Sequence, residues 1–267
     1  MSTNKNNFQN NNKKGDDLDE QLDSDLKEII RPLLANADKN KNIVLLTTGA
    51  FNPIHRMHLE ILNIAYKHLL SEKYNVLCAF ISPSADCYVQ LKRKPFIPFE
   101  TRCKIIQESI QDFYNENKDK DKEMLKIHLN KWEGSHSYFI DFPEVIYEIQ
   151  NHLNNIDKKY KIQLVYVCGM DHYAKCRNSF DKNVIVVDRK PYALTKFVDN
   201  PKKLIYIVKD ENAEGYSSTA IKDAFEKGDL EQIKESTFPS AYQMIIEFFE
   251  NSKKSKKENE KEKGNDI

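Results

Sequence analysis

The sequence predicts an α/β fold: an open parallel sheet covered by helices on both faces. Two observations carry that prediction. Short, continuously apolar and β-branched runs recur along the chain, as expected of strands buried on both faces. These runs alternate with helix-length amphipathic segments, which is the order of βαβ units rather than of hairpins. Glycine placement adds a third, since Gly49, Gly134, Gly169 and Gly215 all fall in loops beside predicted strands.

In chain order, residues 1–17 hold six asparagines in the first twelve positions and little apolar area, so a disordered tail is expected there. Residues 18–40 form an N-terminal helical segment, amphipathic over 18–34 and ending near Pro32. Residues 41–251 make up the α/β domain. Its first strand is 43–48 (IVLLTT), followed by a loop at 49–57. A helix over 58–70 then stacks Leu59, Leu62, Ala65, Tyr66 and Leu69 on one stripe. Strand 76–81 precedes a helix over 98–114, with Pro98 tolerated in the first turn. The polar stretch 115–123 reads as a surface loop or a frayed helix end. A strand at 124–129 and a helix at 142–153 come next, then strands at 163–168, 184–187 and 204–208. Ser217 or Ser218 caps a helix that ends near Gly228, and residues 240–250 close the ordered part. Residues 252–267 read as a disordered charged tail. Its lysines suit solubility, and less readily nuclear import.

Composition excludes several classes. The 267 residues are 40% apolar, which is enough for a sizeable core, and mean hydropathy is −0.68. Lys plus Arg and Asp plus Glu each number 41, so a dedicated nucleic-acid binder is disfavoured, the acid-rich tail included. No apolar run approaches the roughly 20 residues of a membrane span, and residues 1–17 carry no hydrophobic stretch, so a secretory signal is not expected. Cys78, Cys87, Cys103, Cys168 and Cys176 are odd in number and lack C-x-x-C spacing. They read as reduced thiols in a cytoplasmic or nuclear protein.

Open parallel sheets bind ligands outside the carboxyl ends of their strands, where Gly49 and Gly169 lie. The loop Gly49-Ala-Phe-Asn-Pro-Ile-His-Arg-Met-His58 joins the first strand to the first helix. Gly49 lacks a Cβ where backbone amides approach an anion, and Pro53 stiffens the turn. His55 and His58 flank a helix start whose dipole favours phosphate. Taken alone, H-x-x-H is more simply two surface histidines; the ten-residue string in its strand–loop–helix setting is far more specific. A zinc reading lacks a third ligand. Near the other end, Ser217, Ser218 and Thr219 open a helix. The amides of Thr219, Ala220 and Ile221 are expected to be free there, and Lys222 lies one turn in. A plain serine N-cap is the competing reading. Paired with the first loop, the phosphate reading is favoured.

The string G-x-F-x-P-x-H-x-x-H resembles the signature of the nucleotidylyltransferase superfamily. Residues 48–59 are similar to the eukaryotic nicotinamide-mononucleotide adenylyltransferases in particular. Four further segments resemble that family in order and spacing: ISPSADCY at 81–88 leading to FIPFETR at 96–102, KWE at 131–133, CGMD at 168–171, and YSSTAIK at 216–222. The likeness covers roughly residues 43–249. It implies a Rossmann-like nucleotidylyltransferase fold and the reaction of ATP with nicotinamide mononucleotide to give NAD and pyrophosphate. It also implies Mg²⁺ carried mainly by ATP phosphates, with no protein-held metal site, and it is compatible with a homo-oligomer.

The implied ATP site comprises Gly49, Ala50, Phe51, His55, His58, Gly169, Asp171, Ser218, Thr219, Ala220, Ile221 and Lys222, with His55, His58 and Lys222 carrying catalysis. The implied mononucleotide site comprises Trp132, Lys92, Lys94 and Asp171. Trp132 is the only tryptophan, and from its residue type alone core filler and ring stacking are equally open. Lys92, Arg93 and Lys94 would hold either the mononucleotide phosphate or the leaving pyrophosphate. Asp171 would accept from a ribose or the nicotinamide amide, or cap a helix. Two departures stand out. Lys222 replaces the family's Arg and loses its bidentate fork. Residues 173–183 hold no second tryptophan, which leaves Phe180 or Tyr173 as partial substitutes. Competing functions are the same chemistry on nicotinate mononucleotide, phosphopantetheine or a cytidylyl-transfer substrate, and a non-catalytic nucleotide-binding or chaperone-like module.

Overall fold

The computed structural model describes residues 3–35, 37, 41–92, 94–118, 124–176, 179, 183–188, 205–209 and 216–264. Its elements are α1 (Thr3–Leu34), β1 (Asn42–Gly49), α2 (Arg56–Ser71), β2 (Asn75–Pro83), α3 (Asp86–Val89), α4 (Phe99–Asn117), β3 (Ile127–Leu129) and α5 (Trp132–Ser135). They continue with α6 (Phe142–Leu153), β4 (Ile162–Gly169), α7 (Met170–Cys176), β5 (Val184–Asp188), β6 (Ile205–Lys209), α8 (Ser218–Lys227), α9 (Leu230–Ser236) and α10 (Pro239–Gly264).

The strands form one sheet in the order β3-β2-β1-β4-β5-β6, and every pairing is parallel. This is the predicted α/β class in its Rossmann-like form. The chain runs outward from β1 in one direction and then outward from β4 in the other, so the strand order reverses between β1 and β4. A crevice opens at that reversal, outside the strand carboxyl ends.

Strand residues alternate between two cores. Ile43, Leu45, Ala79, Ile81, Val165, Val167, Ile185 and Val187 face α2, α4 and α8–α10. Val44, Leu46, Cys78, Phe80, Leu164, Tyr166, Val184 and Val186 face α1 and α6. Burial on both sides explains why these strands read as unbroken apolar runs instead of alternating ones.

The strand predicted at 124–129 shortens to Ile127–Leu129, because only those residues reach the β2 edge. Gly49 and Gly169 end β1 and β4 rather than following them. Pro98 is the N-cap of α4, not part of its first turn. The described residues of the two segments read as tails are helical. α1 begins at Thr3 and α10 runs to Gly264. Each extends from a packed segment, α1 against β2 and α6, and α10 against α4, and adding one residue to an existing helix avoids the unfavourable nucleation step. Arg93, Phe180 and Gly215, and with them part of the basic loop and one substitute for the second tryptophan, lie outside the described residues.

Candidate active site

A cavity of about 360 Å³ sits at the strand-order reversal. It is lined by Thr47, Thr48, Ala50, Asn52, His55, Met57, His58, Ile61, Lys92, Tyr166, Cys168, Gly169, Asp171, His172, Ser217, Ser218, Thr219 and Lys222. Five elements contribute. The ends of β1 and β4 form the floor, and the start of α7 brings Asp171 and His172. The N-termini of α2 and α8 bring the histidine pair and the hydroxyl cluster. Two helix N-termini opening into one cleft concentrate positive potential, since each carries unsatisfied N–H groups and the positive end of a dipole. Lys222 adds a buried ammonium, 3% exposed, in the wall.

The loop before α2 and the start of α8 meet through a direct bond. Ser218 donates from its hydroxyl to the carbonyl of Pro53 at 2.7 Å, across 165 residues of sequence. The His55 and His58 rings stack with centroids 3.6 Å apart. The backbone N–H of His55 donates to Nδ1 of His58 at 3.1 Å. In the neutral ring this makes Nδ1 the acceptor and puts the proton on Nε2, where it can donate.

The floor carries a polar chain that the sequence reading missed. The hydroxyls of Thr48 and Tyr166 share a hydrogen bond at 2.9 Å, and Tyr166 lies 3.5 Å from Nε2 of His172. Burial pushes the Tyr166 phenol well above its ordinary range. Burial likewise lowers the pKa of His172, outweighing the nearby Asp171, so this imidazole is held toward its neutral form. Neither residue belongs to a string that looks chemical. Only the parallel packing of β1 on β4 brings them to the cleft.

Several expected site residues stand elsewhere. Trp132 is 8% exposed, lies outside the cavity lining and donates from Nε1 to Asp19 of α1 at 2.8 Å. It packs in the core cluster that α1 shares, edge-on to His136. Lys94 also lies outside the lining, with its ammonium 5.4 Å from the Phe96 ring. Lys92 does line the cleft, with its ammonium 4.3 Å over the Tyr88 ring. Gly49 and Phe51 are not lining residues. Phe51 is buried with φ +42°, and its ring fills the space beside Gly49, where a Cβ would come within 3.4 Å. A Cβ at Gly49 would make ordinary van der Waals contact with that ring. Ala220 and Ile221 stand behind the cleft. The Ala220 N–H donates to the Ser217 hydroxyl at 3.0 Å and the Ile221 N–H to the Ser217 carbonyl at 3.1 Å, so those amides are satisfied within the helix. The serine cap and the cleft coexist at this helix end.

Behind the cleft, Arg102 is fully buried and binds four oxygens, and Glu133 is buried against the hydroxyl of Ser82 at 2.8 Å. Burial raises the Glu133 carboxyl to about 7, against the opposing pull of Ser84, Ser82 and Arg102. Among the described residues, no group of three or more His, Cys, Asp or Glu side chains stands together as a metal site.

Comparison with known proteins gives the family and the fold. The model of a family described as cytidylyltransferase-like matches residues 46–224. A nicotinamide/nicotinic acid mononucleotide adenylyltransferase of Arabidopsis thaliana is 27% identical over 141 residues, 51% of this chain and 52% of that protein. A protein of Staphylococcus haemolyticus described as a probable nicotinate-nucleotide adenylyltransferase is 27% identical over 136 residues, 50% of this chain and 58% of that one. The chain thus spans little more than half the length of these curated relatives. The Plasmodium falciparum nicotinic acid mononucleotide adenylyltransferase, solved with NaAD, superposes with a TM-score of 0.50 at 16% identity, covering 78% of this chain and 96% of that one. At that identity the likeness is one of fold.

Proposed function

Because the chain belongs to the cytidylyltransferase-like family, we propose that it transfers the adenylyl group of ATP to a pyridine mononucleotide, releasing pyrophosphate. The observation that carries this reading is the junction of the α2 and α8 N-termini at one cleft, tied by the Ser218–Pro53 bond and flanked by His55, His58 and Lys222. Such a cleft suits a polyphosphate spanning two amide-rich helix starts. The names of both sequence relatives support a pyridine mononucleotide acceptor. Those names include the acid as well as the amide, so the acceptor is taken as either form rather than the amide alone.

In the proposed reaction an acceptor phosphate oxygen attacks the α-phosphorus of ATP. The bond from that phosphorus to the β-bridging oxygen breaks, and pyrophosphate leaves with its electron pair. The nucleophile is already anionic, so no side chain need remove a proton. What the protein supplies is alignment of two anions and donors for charge on the α- and β-phosphates. His58, through Nε2–H, and His55 serve the α- and β-phosphates. Thr219 and Lys222 serve the β- and γ-phosphates, with Ser218 fixing the loop beside them. Asp171 and Lys92 face the acceptor side. Mg²⁺ enters with ATP as part of the substrate, coordinated by phosphate oxygens and water.

A pyrophosphate-release assay with ATP and, separately, nicotinate and nicotinamide mononucleotide tests the proposal. Release that requires ATP and at least one pyridine mononucleotide is expected. Release only with CTP, or only with phosphopantetheine as acceptor, would overturn it.

A further inference from the structure

We infer that Arg102 is a positioning residue that aims the phosphate-facing backbone of the first loop; this rests on the proposed ATP site. Arg102 is 0% exposed, and its guanidinium is used almost completely. Nε donates to the carbonyl of Ile97 at 3.0 Å and Nη1 to the carbonyl of Ala50 at 2.8 Å. Nη2 donates to the carbonyl of Ser84 at 2.7 Å and to Oδ1 of Asp86 at 2.8 Å. A planar fork of five N–H donors can hold several oxygens in fixed directions, which a lysine ammonium cannot. Three of these acceptors are backbone carbonyls of separate loops at the sheet's carboxyl edge. The guanidinium therefore fixes the loops after β1 and β2 relative to the start of α4.

The Ala50 contact has a directional consequence. In a trans peptide the carbonyl of one residue and the N–H of the next point to opposite sides of the peptide plane. Arg102 holds the Ala50 oxygen, so the Phe51 N–H of the same peptide points the other way, which on this reading is the side of the cleft that its neighbours Ala50 and Asn52 line. Phe51 has φ +42°, an uncommon left-handed conformation for a bulky residue that persists only where surrounding structure imposes it. Two further contacts hold the loop. The Asn52 side chain accepts from the Ile97 N–H at 3.0 Å, and the Phe51 ring packs edge-on to His58 with centroids 4.8 Å apart. A buried cation that touches no ligand thus orients both an amide and, through Phe51, the His58 ring.

Arg102→Lys keeps the charge but not the fork. Calorimetric titration of wild type and variant with ATP and with adenosine, alongside thermal melts, separates the possibilities. Removing an oriented donor to a charged group predicts a loss of ATP affinity of about tenfold or more, with adenosine affinity within about twofold of wild type. Unchanged ATP affinity, or a parallel loss for both ligands, would overturn the inference. Wild type that fails to bind ATP would instead remove the ATP reading, and this inference with it. If Arg102→Lys does not fold, Asp86→Asn loosens the same guanidinium from a partner whose side chain is 36% exposed. It is expected to weaken ATP about threefold and spare adenosine, and an unaltered ATP affinity would overturn the inference by that route.

Discussion

Nδ1 of His58 is occupied by the His55 N–H, so its replacement removes an Nε2 donor while the loop keeps its other anchors, among them Arg102 and Asn52. His58→Ala is expected to lower turnover by about two orders of magnitude, the usual loss for one preorganised donor at a transition-state charge. Steady-state kinetics beside an unchanged circular dichroism spectrum checks this. Glu133 makes a pH prediction. Its folded pKa of about 7 lies above the ordinary carboxyl value of 4.5. Between these values the unfolded chain has released a proton that the folded chain retains, so stability falls as pH rises. The contribution is fully present below about 4.5 and lost by about 7, a span of about 3 kcal/mol by linkage. Glu133→Gln keeps an acceptor for Ser82 without the ionisation. Denaturant melts from pH 5 to 8 are expected to show wild type losing stability relative to the variant. Parallel profiles would contradict the raised pKa.

α1 illustrates what an element contributes. Leu22, Leu26, Ile30 and Leu34 recur every four residues and are all buried against the sheet face that α6 shares. Asp19 on the same helix receives the Trp132 indole. This packing makes α1 an integral part of one core. Leu26→Ala, at a fully buried site, is expected to destabilise the protein by about 3 kcal/mol, measured as a shift in urea midpoint at constant slope. α1, α2, α6 and α8 were legible in sequence because their apolar stripes or caps repeat at helical spacing. The four-residue α3 and α5 and the seven-residue α7 and α9 were not, being too short to show a period. Their existence follows from the loops around them.

For the molecule as a whole, the consequence is coupling between the loop before α2 and the start of α8. A ligand spanning the α2 and α8 starts bridges segments that otherwise meet here through Ser218 and Pro53. Binding the folded state alone stabilises it by about 2.7 kcal/mol at one hundred times Kd, which for a protein of this size raises Tm by roughly 5 °C. Saturating ATP is expected to produce that shift in a thermal melt. Ser218→Ala is expected to reduce it while leaving the unliganded Tm within about 2 °C, since a part-buried hydrogen bond is worth about 1 kcal/mol.

The sequence by itself determined the fold class and the approximate place of the cleft. Both follow from local patterns: apolar runs of strand length, helical stripes, and a histidine-bearing loop directly after a strand. It also pointed to a serine cap at 217 or 218, of which the structure selects Ser217, and to Gly228, whose φ of +78° ends α8. Tertiary structure alone decided which residues face the cleft. Trp132 and Phe51 have residue types suited to a site, yet both lie in the core, because burying a large aromatic ring is favourable whatever loop carries it. Tyr166, His172 and Arg102 gained their places only when strands distant in sequence paired side by side. Direction and burial are set by long-range packing, and a local pattern of residues cannot encode them.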